Sequence, residues 1–403
     1  MTTVLFRGGT AYTKGELIRS DVLVRDGVVA GLGPSIGEPA DEVVDATDCI
    51  VSPGLIDTHT HVYHGAFRLG IRADRIAARG GTTTWVDAGT AGAGAFQGLI
   101  QQVKETSRVR VVPFINLSFM GLANAGLMTR EVGELWDASY ADVRAILRAN
   151  EENPGEIKGI KLRASSNALA DNASSVLPQA RFIADELDVP LMVHIGMSPP
   201  TIEEVTSHLV EGDILTHCFH PHAGGRITDR DGRVRPCVRD AIERGVRLDV
   251  GHGVASISHR VVMQCLEQGV LPDSLSSDIH AENVGWPIRS QLTVVEMFLA
   301  LGLSLTDVLE RATAKPAGMI GRPDLGVLEV GSPADLAVLR LVEGEYEKQD
   351  STGHTLAFTQ RLECLGAYRD GVLIPPADGP DEFRPSPWLT RFGAMPPQEE
   401  EKK

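Results

Sequence analysis

The stretch "GLIDTHTHVYHG", residues 54–65, sets His59 and His61 two positions apart at the end of an apolar run. Residues i, i+2 and i+4 of a strand face one side, so Asp57, His59 and His61 are expected to project together. Two imidazoles on one face can grip one metal ion. Other apolar runs end in the same way: Lys161 and Arg163 in "EIKGIKLRAS", His194 in "PLMVHIG", His217 in "DILTHCFHP", His252 in "VRLDVGHG", Asp278 and His280 in "DSLSSDIH". A single histidine at a strand end is more often a hydrogen-bonded structural residue than a ligand, and H-x-H alone is a weak motif. Four histidines, a lysine and an aspartate on the ends of such runs form a pattern that random scatter of 12 histidines would rarely produce.

The residues divide into two candidate metal sites. His59 and His61 with the carboxylate of Asp278 suit one ion, and His194 with His217 suits a second. Lys161 fits poorly as an ammonium, because two divalent cations would repel it. A neutral amine can react with carbon dioxide to give a carbamate, which is anionic and has two oxygens with which to bridge the metals. The competing reading is an ordinary lysine snorkelling to solvent. The place of Lys161 between the two histidine pairs favours the bridge. Asp57 is expected to fix the geometry of its strand rather than to bind metal.

These side chains need a frame that converges strand ends. Between residues 54 and 321, β-type runs alternate with longer helical stretches, the pattern of a parallel α/β fold. The runs are "GLIDTHTH", "GTTTWVDA", "VRVVPFINLS", "EIKGIKLRAS", "PLMVHIG", "DILTHCFHP", "VRLDVGHG" and "DSLSSDIH". Their number and spacing predict a (β/α)8 TIM-type barrel, whose strand ends meet at one mouth. Ser304 three residues before Asp307 predicts a helix start near the end of this region. Residues 1–53 and 322–375 read instead as short strands and turns, each part carrying an "RDG" hairpin signal. They are expected to form one small β-sandwich domain built from both chain ends. The Pro-rich residues 376–403, ending "PPQEEEKK", read as a C-terminal extension, partly disordered.

Composition narrows the partners. A formal net charge of -16 disfavours nucleic acid and an anionic membrane surface. No apolar run reaches the roughly 18 residues that span a bilayer, and no signal peptide is visible. The five cysteines are dispersed without a C-x-x-C pair, as expected of reduced thiols in a cytoplasmic protein. The charge says nothing about a small-molecule substrate, because local charge in a pocket can oppose the global sign.

Taken jointly, "VSPGLIDTHTH", "GIKLR", "MVHIG", "LTHCFHP", "SSDIH" and "GVLEVGSPADLAVL" resemble the amidohydrolase superfamily of metal-dependent hydrolases. The resemblance implies a binuclear site, usually zinc, with a carboxylated lysine. It would place His59, His61 and Asp278 on the first metal, His194 and His217 on the second, and Lys161 on both. A bridging hydroxide would attack a polarised carbonyl, with Asp278 carrying its proton to the leaving group. It also leans towards a homo-oligomer.

The fuller wording "HTHVYHG", "THCFHP", "RLDVGHG" and "SSDIHAENVGWP" is similar to a dihydroorotase-like bacterial deacetylase group, whose members hydrolyse acetyl esters of α-hydroxy acids such as acetyl-(R)-mandelate. The arginine that dihydroorotase-like enzymes carry just after H-x-H is missing: Val62, Tyr63 and His64 follow. The loop "PHAGGRITDRDGRVRP" departs from the deacetylase group as well. For the substrate carboxylate Arg163 is the candidate, since it shares a face with Lys161 and its planar fork suits a carboxylate. His252 is expected to donate to the substrate or leaving group. Tyr63, His64 and His220 would join the mouth only if their loops fold inward. The alternatives are an amide hydrolase acting on a cyclic imide or N-acyl amino acid, an isomerase or lyase using the same metals, and an inactive scaffold.

Overall fold

The computed structural model describes residues 2–124, 133–377 and Phe383, so most of the predicted C-terminal extension lies outside the described residues. Seven parallel strands stand side by side in chain order: β1 (Leu55–Thr60), β2 (Thr82–Ala88), β3 (Arg110–Asn116), β4 (Ile160–Ala164), β5 (Leu191–Ile195), β6 (Ile214–Thr216) and β7 (Arg247–Asp249). Every residue of β1, β2 and β4 is buried, as expected of strands covered on both faces. Helices such as Ala73–Gly80, Ala173–Leu187 and His259–Glu267 run between or after these strands.

The eighth run, "DSLSSDIH", closes the barrel without a regular ladder. Single parallel bridges join Asp249 to Ser274 and Thr60 to Ile279. The Val250 N–H donates to the Ser274 carbonyl at 3.1 Å, and the Asp278 N–H to the His59 carbonyl at 2.7 Å. The expectation that Asp278 and His280 share one face of a pleated strand needs correcting. Asp278 has φ +50°, so the extended backbone and its alternation stop there.

Two further sheets pack on each other. One orders Val28–Gly33, Asp21–Arg25, Thr3–Arg7 and Glu42–Asp45. The other runs Val372–Leu373, Thr355–Arg369, Leu336–Gln349, Ile50–Pro53, Thr10–Thr13, Glu16–Arg19, and so joins both chain ends. Phe6 and Val22 from the first meet Val51, Val338 and Tyr368 from the second in a common core, with Phe6 edge-on to Tyr368 at 4.8 Å. Both "RDG" turns form as predicted: Asp26 and Gly27 (φ +50° and +80°), and Asp370 and Gly371 (φ +48° and +76°). They also touch, since a Cβ on Gly27 would lie 3.1 Å from the Asp370 carbonyl oxygen. The helix Leu305–Glu310 begins in the expected capping box of Ser304 and Asp307. Among the described residues no helix is long and apolar enough to cross a membrane.

Candidate active site

The barrel strands and the closing segment bring together six of the predicted residues. His59 is the fifth residue of β1, and His61 follows its end. His217 follows β6, Lys161 lies on β4 and His194 on β5. The ring centroids of His59 and His217 are 4.8 Å apart, and those of His194 and His217 4.2 Å apart. His217 and Asp278 both take left-handed backbone, at φ +63° and +50°. Such strain in non-glycine residues persists where the surroundings over-determine it, as at functional sites.

The protons of the imidazoles can be placed from their partners. Thr216 donates its hydroxyl to Asp249 at 2.6 Å, so its oxygen must accept from Nδ1–H of His59, 2.7 Å away. His217 donates Nδ1–H to the Gly251 carbonyl at 2.6 Å. His61 bonds through Nδ1 to the hydroxyl of Thr90 at 2.9 Å, and Thr90 in turn bonds Asp87. Burial pushes His59 well below its ordinary pKa and His217 down to about 4, so both are neutral. Their Nε2 atoms therefore carry bare lone pairs.

Those lone pairs face a carboxylate. Oδ1 of Asp278 lies 3.2 Å from Nε2 of His61 and 3.5 Å from Nε2 of His59, and Oδ2 lies 4.0 Å from Nε2 of His217. Burial raises the Asp278 carboxyl, but the approach of the His61, His217 and His280 rings outweighs it and holds the group below the usual carboxylate range. Its Oδ1 is buried and has no hydrogen-bond partner among the described residues. A carboxylate oxygen without a donor, set against imidazole lone pairs, is repelled unless a cation sits between them. His59, His217 and Asp278 can each offer an atom within 4.8 Å of the others, which fits a metal ion.

Beside this set, Nζ of Lys161 lies 3.0 Å from Nε2 of His59 and 3.4 Å from the Met192 sulfur. Lys161 is 1% exposed, and burial lowers its amine to about pKa 7. This is no snorkelling lysine. The Arg163 guanidinium donates to Oε2 of Glu134 at 2.8 Å, and Oε1 of Glu134 accepts from Asn116 at 2.8 Å.

Relatives can now be set beside this geometry. The model of the amidohydrolase family matches residues 50–360. The chain belongs to the amidohydrolase family. A deacetylase of Agrobacterium fabrum is 36% identical over 354 residues, covering 86% of each chain. A deacetylase of Enterococcus faecalis is 30% identical, covering 88% of this chain and 94% of its own. Among solved structures, a dihydroorotase superposes with TM-score 0.84 at 33% identity, covering 93% of this chain and 97% of that one. An adenine deaminase superposes with TM-score 0.86 at 27% identity, covering 93% and 99%. This amidohydrolase is a hydrolase, and its barrel with separate antiparallel sheets is the fold of the family.

The other candidates in this amidohydrolase can be placed one by one. Asp57 accepts from Ser277 Oγ at 2.5 Å and Ser277 N at 3.0 Å, so it ties β1 to the closing segment. His252 donates Nδ1–H to the Gly253 carbonyl at 2.9 Å, which leaves a neutral ring with an accepting Nε2 rather than the expected donor. His280 has the opposite tautomer: its Nδ1 accepts from Glu282 N–H at 3.1 Å, so Nε2 carries the proton. Its ring centroid is 6.2 Å from that of His61. His220 spends both nitrogens in its own loop, on Gly225 O and His222 N. Tyr63 points its hydroxyl at the helix Phe96–Leu99, where a Cβ on Gly98 would lie 2.1 Å away. His64 is part-buried in a bridge with Phe67. Thr216, Asp249, Thr90, Asp87 and Glu134, which orient the others, carry no motif, since each bonds residues distant in sequence.

Proposed function

We propose that this amidohydrolase cleaves the acetyl ester of a small α-hydroxy carboxylic acid at a binuclear metal site. The observation that carries the reading is the convergence of the His59 and His217 Nε2 lone pairs and of His61 Nε2 on the Asp278 carboxylate, with the buried amine of Lys161, lowered to about pKa 7, beside them. His59, His61 and Asp278 would hold one divalent ion and His194 and His217 another. Lys161 would join both as a carbamate, formed when its neutral amine adds to carbon dioxide and releases a proton. Bound divalent ions, for which histidine, carboxylate and carbamate ligands suit zinc, manganese, cobalt or iron, would lower the pKa of water towards about 7 and polarise the substrate carbonyl.

The chain's own groups supply the rest. Asp278 takes the proton of the attacking water and delivers it to the departing alkoxide, which its place among the three imidazoles allows. Arg163, held flat by Glu134, receives the substrate carboxylate. The donor role expected of His252 passes to His280, whose Nε2–H is free of the Glu282 contact. His252 accepts instead, and suits a water or the product hydroxyl.

An acetyl group as the acyl part is supported by the two bacterial relatives named deacetylases, a name that covers esters and amides alike. The deciding experiment compares kcat/KM for O-acetyl-(R)-mandelate and an N-acetyl-D-amino acid of similar side chain, using zinc-loaded protein. Preference for the ester supports the reading. Preference for the amide moves the protein to the deacylases, and turnover of neither rejects both substrates.

A further inference from the structure

The strands Leu336–Gln349 and Thr355–Arg369 form a hairpin that runs far beyond the sandwich core, with most side chains past Arg340 exposed or part-exposed. Its shaft is anchored on the barrel. Lys348 donates Nζ–H to the Thr293 carbonyl at 2.6 Å and pairs with the buried Glu296 at 3.1 Å, while Leu362 N–H donates to Glu296 at 3.1 Å. The tip, residues 350–354, reaches the start of the helix His259–Glu267, just past the loop that leaves β7.

The contacts at the tip are specific. Oδ2 of Asp350 accepts from the His259 N–H at 2.7 Å. Oδ1 accepts from Thr352 N, Thr352 Oγ and His354 N at 2.8, 2.7 and 3.0 Å. The Ser351 N–H donates to the Ile257 carbonyl at 3.2 Å, and the Ser351 hydroxyl donates to the same oxygen. The helix has Ser258 at its N-cap position, but that side chain makes no cap. Capping usually comes from the helix's own flank. Here it comes from a residue 91 positions along the chain.

The clamped segment leads straight to the chemistry. Going back from Ile257, the loop reaches Gly253 and His252, whose N–H groups donate to the Ser277 and Ser276 carbonyls at 3.0 and 3.2 Å. Gly253 has φ +55°, and a Cβ there would lie 2.6 Å from Oδ2 of Asp278. The Gly253 backbone is thus a wall of the Asp278 carboxylate. We infer that the hairpin tip is a clamp on the loop 252–258, and that Asp350 is a positioning residue acting through Gly253 and His252 on Asp278. Misplacing a reacting group by about 1 Å can cost about 100-fold in rate, so a loop of this kind needs an external restraint.

The inference rests on the proposed reading for the substrate, the metal and the proton role of Asp278, while the clamp itself is read from exchange. The test uses full-length, zinc-loaded Asp350→Ala and Asp350→Asn. Steady-state kinetics on the acetyl ester, metal content and amide hydrogen exchange of residues 251–258 are measured well below the melting temperature. For Asp350→Ala the expected result is a kcat about tenfold or more below wild type with KM changed less, full metal content, and faster exchange confined to 251–258 and the tip. Asp350→Asn keeps one acceptor oxygen, which can serve the His259 N–H or the Thr352 and His354 N–H groups but not both, and should recover part of the loss. Unchanged exchange at 251–258 overturns the clamp. So does faster exchange with wild-type kcat, or a loss of kcat that tracks metal loss and global unfolding. Should wild type fail to hydrolyse the ester, the substrate reading falls, and the exchange data still decide the clamp.

Discussion

The side-chain nitrogen of Lys161 lies 3.0 Å from Nε2 of His59, inside the barrel and 1% exposed to solvent. A charged ammonium there would compete with any cation for the lone pair of His59, whereas a carbamate would add an anion between the histidine pairs. Lys161→Ala should therefore lose most of its bound metal and at least about a hundredfold in turnover, in line with the loss of a metal-orienting group. A short-chain carboxylic acid added to the variant should restore part of both. Metal analysis and activity with and without the acid check this; full metal content in the variant removes the bridge.

In the proposed mechanism Asp278 would act after metal binding as well, by carrying a proton. Asp278→Asn keeps a ligating oxygen but gives up the basic group, so it should hold most of the metal and lose about 10²–10⁴-fold in kcat. The pairing of metal content with kcat is what tests it. Wild-type turnover in the variant would take Asp278 off the proton path.

Glu134 is 0% exposed and shares its two oxygens between Arg163 and Asn116. Glu134→Gln keeps the shape but leaves the Arg163 charge without its partner. Breaking a buried pair of this kind costs about 3 kcal/mol of stability, which denaturant unfolding would show. The guanidinium would also lose its set orientation. KM for an acyloxy acid should rise about tenfold, the worth of one charge-assisted hydrogen bond, and KM for its methyl ester should hardly move. Equal effects on acid and ester would mean that Arg163 does not meet the carboxylate.

The sequence carried the barrel and the ligand-type residues because both depend on short-range regularities: the alternation in "DTHTH" and "GIKLR", and the recurrence of β-type runs with polar ends. It did not carry what depends on contacts between distant residues. The left-handed backbone of Asp278 follows from closing the barrel against β1, through Asp57 with Ser277 and His59 with Asp278. The tautomers of His252 and His280 are set instead by near neighbours, Gly253 O and Glu282 N, whose approach depends on the folded turn and not on residue type. Arg163 was legible as a cation beside Lys161, yet its partner Glu134 lies in a loop with no motif. The "RDG" turns were legible one at a time, while their contact across the sandwich was not.

The orientation of His59 depends on one hydroxyl. Thr216 accepts from its Nδ1–H at 2.7 Å and passes its own proton to Asp249 at 2.6 Å, while Thr58 holds the other Asp249 oxygen at 2.7 Å. Thr216→Val preserves shape and removes both bonds. His59 could then take the other tautomer, with its proton on Nε2, where a metal needs a lone pair. Metal affinity should drop about 10–100-fold, the usual consequence of losing a partner that orients a ligand. Thr216→Ser retains the hydroxyl and should bind metal nearly as wild type does. Competition with a chelator measures both variants. Equal affinity in wild type, Val and Ser would show that β1 packing alone orients His59, and that the chain through Thr216 to Asp249 serves only the fold.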